Sequence, residues 1–365
     1  MRIGIDGREL YAHKRGIGRY VWELCRELDR RLPEAEFIVY SRDPIELPVV
    51  SGGWRLRSDE SFLGSRLSAL LWLKLRCGTL CREDRLDAFW GTAVFLPRLE
   101  RDVRTVVTVH DLCHRLTPET FDPLHLRGVR LFFDSDVRRA DVVLTISRGT
   151  ADRLRQHVGR EADGVAAPGI SPEFRRPETA TIERCRERYG LVGPYILTVA
   201  AWEPRKNLKC LVEAFVELRR RERFAGHRLV LVGKQKGQGV VGVDDSLERY
   251  RNAGVVALGY VPDSDLPALY AGADVFVLAS FYEGFGMPVL EARACGTRVV
   301  ATDIPELREA GGREVVYIEP TREGIINGIV RALDLPPSRV RDDPVPEWSV
   351  AGRVVAAALD PDGAR

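Results

Sequence analysis

The chain has 365 residues, 45% hydrophobic and 30% charged, a composition that excludes disordered, collagen-like and mucin-like proteins. At roughly 100–200 residues per domain, that length points to two domains. The 55 Lys and Arg against 53 Asp and Glu leave a net charge of +2, too even a balance for a general nucleic-acid binder.

Short apolar runs rich in Val and Ile recur along the chain. The first half has them at 2–6, 37–41, 87–91, 105–110 and 142–147. The second half has them at 195–200, 228–233, 255–258, 274–279, 298–302 and 315–318. They do not alternate with polar residues, as expected of parallel strands buried on both faces. Helical patterns lie between them; Val21, Leu24, Cys25, Leu28 and Leu32 trace one face at 3.6-residue spacing. This alternation predicts a doubly wound α/β fold. Pro168, Gly169, Pro172 and Pro177 interrupt the rhythm and mark a linker over 168–190. The expected plan is two Rossmann-like domains, 1–168 and 169–345, facing a central cleft. Residues 346–365 form a C-terminal helix whose expected packing is a return to the first domain. Ligands of such sheets bind at the carboxyl ends of strands, so functional residues are expected there.

Seven scattered cysteines do not make a disulfide framework. The N-terminus starts at once with a strand-like segment and lacks a signal-peptide layout. No run approaches the ~18 apolar residues of a spanning helix. The expected setting is a reducing cytoplasm.

Several strand ends carry residues suited to chemistry. Gly16 and Gly18 precede or open a helix and leave backbone N–H groups approachable by an anion, although Val21 replaces the third glycine of a dinucleotide fingerprint. A plain flexible loop is the competing reading. His110 and Asp111 close the run at 105–110. A His that hydrogen-bonds a polar substrate and a structural His both fit, whereas zinc lacks a second cluster of ligands beyond Cys113 and His114. The second half is sharper. Run 195–200 leads into Glu203-Pro204-Arg205-Lys206-Asn207, where a guanidinium and an ammonium before a helix N-terminus suit a phosphate. A solvated basic turn is the alternative. Only six cations are lysines, and four of them (Lys206, Lys209, Lys234 and Lys236) fall in this region. Lys206 is expected to be exposed, so that Lys206→Ala should cost rate far more than stability. Run 274–279 leads into Glu283-Gly284-Phe285-Gly286-Met287-Pro288, with Glu291 on the first turn or so of the next helix. Two carboxylates around a bare glycine backbone suit a ligand with both hydroxyls and phosphates, such as a sugar nucleotide. They would also suit the acid and base of a hydrolase, which has no use for the phosphate-type residues around them.

These motifs together resemble the retaining glycosyltransferases of family 4, whose fold, GT-B, is two Rossmann domains across a cleft. The resemblance spans the chain: Gly16-Ile17-Gly18-Arg19-Tyr20, His110-Asp111, Pro168-Gly169-Ile170, Glu203 to Asn207, Leu231 to Lys234, Leu258 to Pro262, and the two glutamates with seven residues between them. It implies that Arg205 and Lys206 hold the donor diphosphate and stabilise the leaving nucleotide. It implies that Glu283 contacts the transferred sugar, Glu291 the ribose hydroxyls, and Phe285, Gly286 and Met287 sugar and phosphate through their backbone. His110 is implied near the reacting centre, Gly16 and Gly18 over the phosphates, and the acceptor on the first domain. No cofactor and no metal are expected. The partners implied are a nucleotide sugar and a glycan or lipid-linked glycan acceptor, with GDP-mannose the first donor expected, by likeness to bacterial mannosyltransferases of surface polysaccharide synthesis. UDP-glucose-type donors come next. A sugar-nucleotide epimerase of the same fold and a catalytically silent sugar-nucleotide-binding protein are the alternatives. Arg293 and Arg298 stand where Met and Pro are common. Residues 62–80 carry leucines with Arg66, Lys74 and Arg76, and read either as a helix packed on the first sheet or as a peripheral contact with membrane.

Overall fold

Short β-branched runs joined by amphipathic helices fold here as two sheets of parallel strands. The structure, a computed structural model, describes residues 1–12, 16–59, 61, 64, 66–233, 250, 252–335 and 345–362. The chain divides into two units, the first of Met1–Arg115, Phe121–Gly169 and Pro346–Arg365, the second of Leu116–Thr120 and Ile170–Val345.

The first unit holds β1 (Arg2–Asp6), β2 (Glu36–Ser41), β3 (Trp54–Ser58), β4 (Ala88–Gly91), β5 (Arg104–Val109), β6 (Val142–Thr145) and β7 (Gly164–Val165), in the order β3-β2-β1-β4-β5-β6-β7. The second holds β8 (Tyr195–Val199), β9 (Arg228–Val232), β10 (Val255–Gly259), β11 (Val275–Leu278), β12 (Val299–Thr302) and β13 (Val316–Ile318), in the order β10-β9-β8-β11-β12-β13. Every neighbouring pair is parallel. Each sheet winds one way from its first strand and then the other. The order therefore reverses between β1 and β4, and again between β8 and β11. At those points the loops leave in opposite directions and open a crevice at the carboxyl ends.

Two strands were not expected. β3 reads Trp54-Arg55-Leu56-Arg57, alternating as an edge strand does: Trp54 stacks on Phe37 at 4.3 Å while Arg55 reaches Glu36 and Asp84. β7 is two residues long, too short for any period to register.

The helix Ile17–Arg31 buries Tyr20, Val21, Leu24, Cys25 and Leu28. Against it, within the first unit, packs the last helix, Trp348–Leu359. Gly352 permits the close approach, since a Cβ there would sit 2.6 Å from that of Glu27. Arg31 donates to the Ser349 carbonyl at 2.9 Å, and Trp348 meets Tyr20 edge-on. Between 62 and 80, Leu70, Trp72, Leu73 and Cys77 are buried and Leu71 and Leu75 exposed; Phe62, Leu63 and Ser65 lie outside the described residues. Among the described residues no helix is long and apolar enough to cross a membrane.

Candidate functional site

The reversal between β8 and β11 brings two connections together. After β8 the chain makes a single 3-10 turn, Pro204–Lys206, then starts the helix Leu208–Leu218 through Asn207, whose left-handed φ of 56° an asparagine tolerates. After β11 it runs through Ser280 and Glu283 to the helix Met287–Ala294. The Phe281 N–H donates to the Arg205 carbonyl at 2.8 Å and ties the two together.

Side chains converge across that tie. Arg205 donates from Nη1 to Glu283 Oε2 at 3.0 Å and from Nε to Glu203 Oε2 at 2.8 Å. Lys206 Nζ donates to Glu283 Oε1 at 2.5 Å, and Ser280 Oγ to the same oxygen at 2.7 Å. All but Arg205 are buried. Burial alone would raise the Glu283 carboxyl, but Lys206 and Arg205 beside it lower it to about 2. Burial lowers the Lys206 ammonium, with Arg205 adding repulsion, and Glu283 offsets this only in part. Lys206 is therefore not the exposed lysine expected from sequence. Two cations are matched by two carboxylates in a nearly dry, neutral cluster.

Glu291 lies in the second turn of the helix Met287–Ala294 rather than its first, and is buried. The Tyr270 hydroxyl donates to its Oε2 at 2.8 Å, and Thr297 holds the Tyr270 carbonyl at 2.6 Å. Gly286 caps the helix with φ 102°, and a Cβ there would meet Leu307 at 2.4 Å. No side chain caps this helix start. Phe285 is buried, while Gly284 and Met287 are half-buried beside it.

The other expected residues belong to the first unit. His110 follows β5, buried, with Nε2 2.7 Å from the Thr92 carbonyl. A carbonyl can only accept, so Nε2 carries the proton and Nδ1 keeps the lone pair. Burial lowers this imidazole and keeps it neutral. Thr92 in turn donates to the carbonyl of Asp6, whose carboxylate pairs with buried Arg8 at 2.6 Å. Gly16 is exposed at φ 50°, and Gly18 is buried in the first turn of its helix. His114 is buried against Phe133, ring centroids 4.2 Å apart. Among the described residues no three His, Cys, Asp or Glu side chains are grouped to hold a metal. Lys234 and Lys236 lie outside the described residues. Sequence reasoning gave no role to Glu203, Ser280 or Tyr270. Glu203, two residues before Arg205, and Ser280, three before Glu283, each left a signal in their own loop.

Residues 14–174 match the model of Glycosyltransferase Family 4, and residues 193–334 that of glycosyl transferases group 1. The chain is 32% identical over 325 residues to the O-antigen chain mannosyltransferase B of Escherichia coli, covering 84% of this chain and 83% of that protein. The chain belongs to the family 4 glycosyltransferases. This glycosyltransferase is also 34% identical over 178 residues, 44% of either chain, to the GDP-mannose-dependent alpha-(1-6)-phosphatidylinositol monomannoside mannosyltransferase of Mycolicibacterium smegmatis. Its fold matches that of a sucrose-phosphate synthase from Thermosynechococcus elongatus with a TM-score of 0.68 at 18% identity, over 99% of this chain and 94% of that one. The two sheets of parallel strands are those of the GT-B fold.

Proposed function

We propose that this glycosyltransferase moves a mannosyl group from GDP-mannose to a hydroxyl of a glycan or lipid-linked glycan, with retention at the anomeric carbon. The observation that carries this is the convergence of Arg205, Lys206 and Glu283 at the β8–β11 reversal, beside a helix start that no side chain caps. A diphosphate entering there exchanges its oxygens for those of Glu283 on both cations. Arg205 offers a fork and Lys206 a point charge, and both oppose the negative charge that grows on the leaving nucleotide. Glu283, relieved of part of that pairing, accepts from hydroxyls of the sugar. Glu291, aimed by Tyr270, accepts from the ribose hydroxyls, and the backbone of Gly284 to Met287 borders sugar and phosphate. In the first unit, neutral His110 keeps Nδ1 as an acceptor for a hydroxyl, and Gly16 and Gly18 stand where their N–H groups suit an anion. The names of the mannosyltransferase relatives support the sugar, and one of them supports the nucleotide.

No metal is needed, because the basic pair supplies the countercharge. Seven cysteines, six of them buried and none in a disulfide, support a cytoplasmic setting. Isothermal titration with GDP-, UDP-, ADP- and dTDP-sugars in EDTA tests the proposal. GDP-mannose is expected to bind most tightly, and a product with the donor's anomeric configuration by NMR is expected to follow. Binding by none of the four would overturn it.

A further inference from the structure

A left-handed backbone at a β-branched residue is a strain that its surroundings must hold, and such strain gathers where a fold presents a group for use. The turn that leaves β4 has one. Among the described residues, Arg85, Val94 and Asn207 are the non-glycine residues with positive φ, and only Val94, at 73°, is β-branched. Two bonds hold this buried valine in place. Its N–H donates to the Thr108 carbonyl of β5 at 3.1 Å, and the Phe95 N–H turns back to the Ala93 carbonyl at 2.9 Å. Gly91 admits the turn, since a Cβ there would lie 2.7 Å from the Phe95 carbonyl oxygen.

The turn presents the carbonyl of Thr92. This threonine is fully buried, and its Oγ1 donates to the Asp6 carbonyl at the end of β1 at 2.8 Å. The turn is thus tied to β1 at its start and to β5 two residues later. Between those ties the Thr92 carbonyl faces His110 and accepts from Nε2 at 2.7 Å. Tyr20 meets the imidazole edge-on, ring centroids 5.0 Å apart and planes at 86°, and its own hydroxyl is held by the Ala166 carbonyl at 2.8 Å. With the ring walled in and both partners buried, a proton on Nδ1 would set the bare Nε2 lone pair against a carbonyl oxygen, with no solvent to relieve the clash.

We infer that Thr92 is a positioning residue for His110: its hydroxyl and the strained turn fix the imidazole with the proton on Nε2 and reserve Nδ1 to accept from a hydroxyl. Thr92 matters to transfer only if His110 does, as proposed, but the tautomer is read without substrate, so the two readings can fail separately. Histidine nitrogen chemical shifts, by NMR on the isotope-labelled full chain above neutral pH, report which nitrogen carries the proton. The His110 signals are assigned by their loss in His110→Gln. The unaltered protein is expected to show Nε2–H alone. Thr92→Val keeps the branching and removes the donor; it is expected to show both tautomers and to transfer about tenfold more slowly. Thr92→Ser is expected to restore the single tautomer and the rate. GDP-mannose is expected to bind all three alike by titration calorimetry, because Arg205, Lys206, Glu283 and Glu291 belong to the second unit and are untouched. A single Nε2–H tautomer in Thr92→Val overturns the inference, and so do mixed tautomers with an unaltered rate. A loss of rate that Thr92→Ser does not restore overturns it as well, since packing would then be the cause. An unaltered protein that transfers from no nucleotide sugar would overturn the proposed function, and the tautomers of Thr92→Val would still decide the role of Thr92.

Discussion

Glu283 sits where three donors meet, and its pairing changes what a single substitution at Lys206 does. Removing the ammonium leaves a buried carboxylate facing one arginine, an imbalance that typically costs about 3–5 kcal/mol. Lys206→Ala is therefore expected to lose both transfer and stability, read by urea denaturation beside a transfer assay. Adding Glu283→Gln removes the stranded charge and is expected to restore most of the stability without restoring transfer. If the double variant is as unstable as the single one, the cluster's charge balance is not what holds it. The residue types of this site were readable in the sequence, because a basic pair and two glutamates stood at strand ends. Their pairing was not. Lys206 and Glu283 are 77 residues apart, and only the adjacency of β8 and β11 joins them.

At the level of elements, buried parallel strands declare themselves because both faces must be apolar, and the inner strands of both sheets were legible for that reason. β3 escaped because Arg55 and Arg57 belong to an edge, where one face meets the carboxylates of Glu36, Glu83 and Asp84 instead of apolar side chains. The start of the helix Met287–Ala294 was legible too, through Gly286 and Pro288. The strain at Gly286 became visible only in three dimensions, where its φ of 102° and the nearness of Leu307 leave no room for a side chain. Gly286→Ala is expected to cost about 1–3 kcal/mol and to weaken nucleotide-sugar binding by tilting the helix start. A melting curve and a titration calorimeter would show both effects. Unchanged donor affinity in a destabilised protein would separate this helix start from the site.

Across the whole molecule, acid acts on buried imidazoles in both units and on a carboxylate in the second. In the first unit, burial against Phe133 lowers His114 from 6.5 to about 4. Its share of stability is whole above pH 6.5 and is lost as pH falls to about 4, because the unfolded chain takes up the proton first. In the second unit, Glu283 titrates near 2 instead of 4.5, so its share is whole above pH 4.5 and fades toward pH 2. Stability is expected to decline in two stages, with His114 contributing roughly 3 kcal/mol at most to the first, beside His110 and His227, which burial also lowers. Calorimetry from pH 7 to 3 would show His114→Phe flattening only the first stage; an unaltered slope would exclude His114 as its cause. The path of the chain adds a constraint of its own. The first unit is written in separate stretches, and its closing helix, Trp348–Leu359, comes after nearly all of the second. During synthesis the second unit has almost every residue it needs while Tyr20 and Glu27 still lack their last neighbours. The part of the protein that emerges first is thus the last to be finished, and a chain stopped at residue 345 would leave that flank of the helix Ile17–Arg31 open.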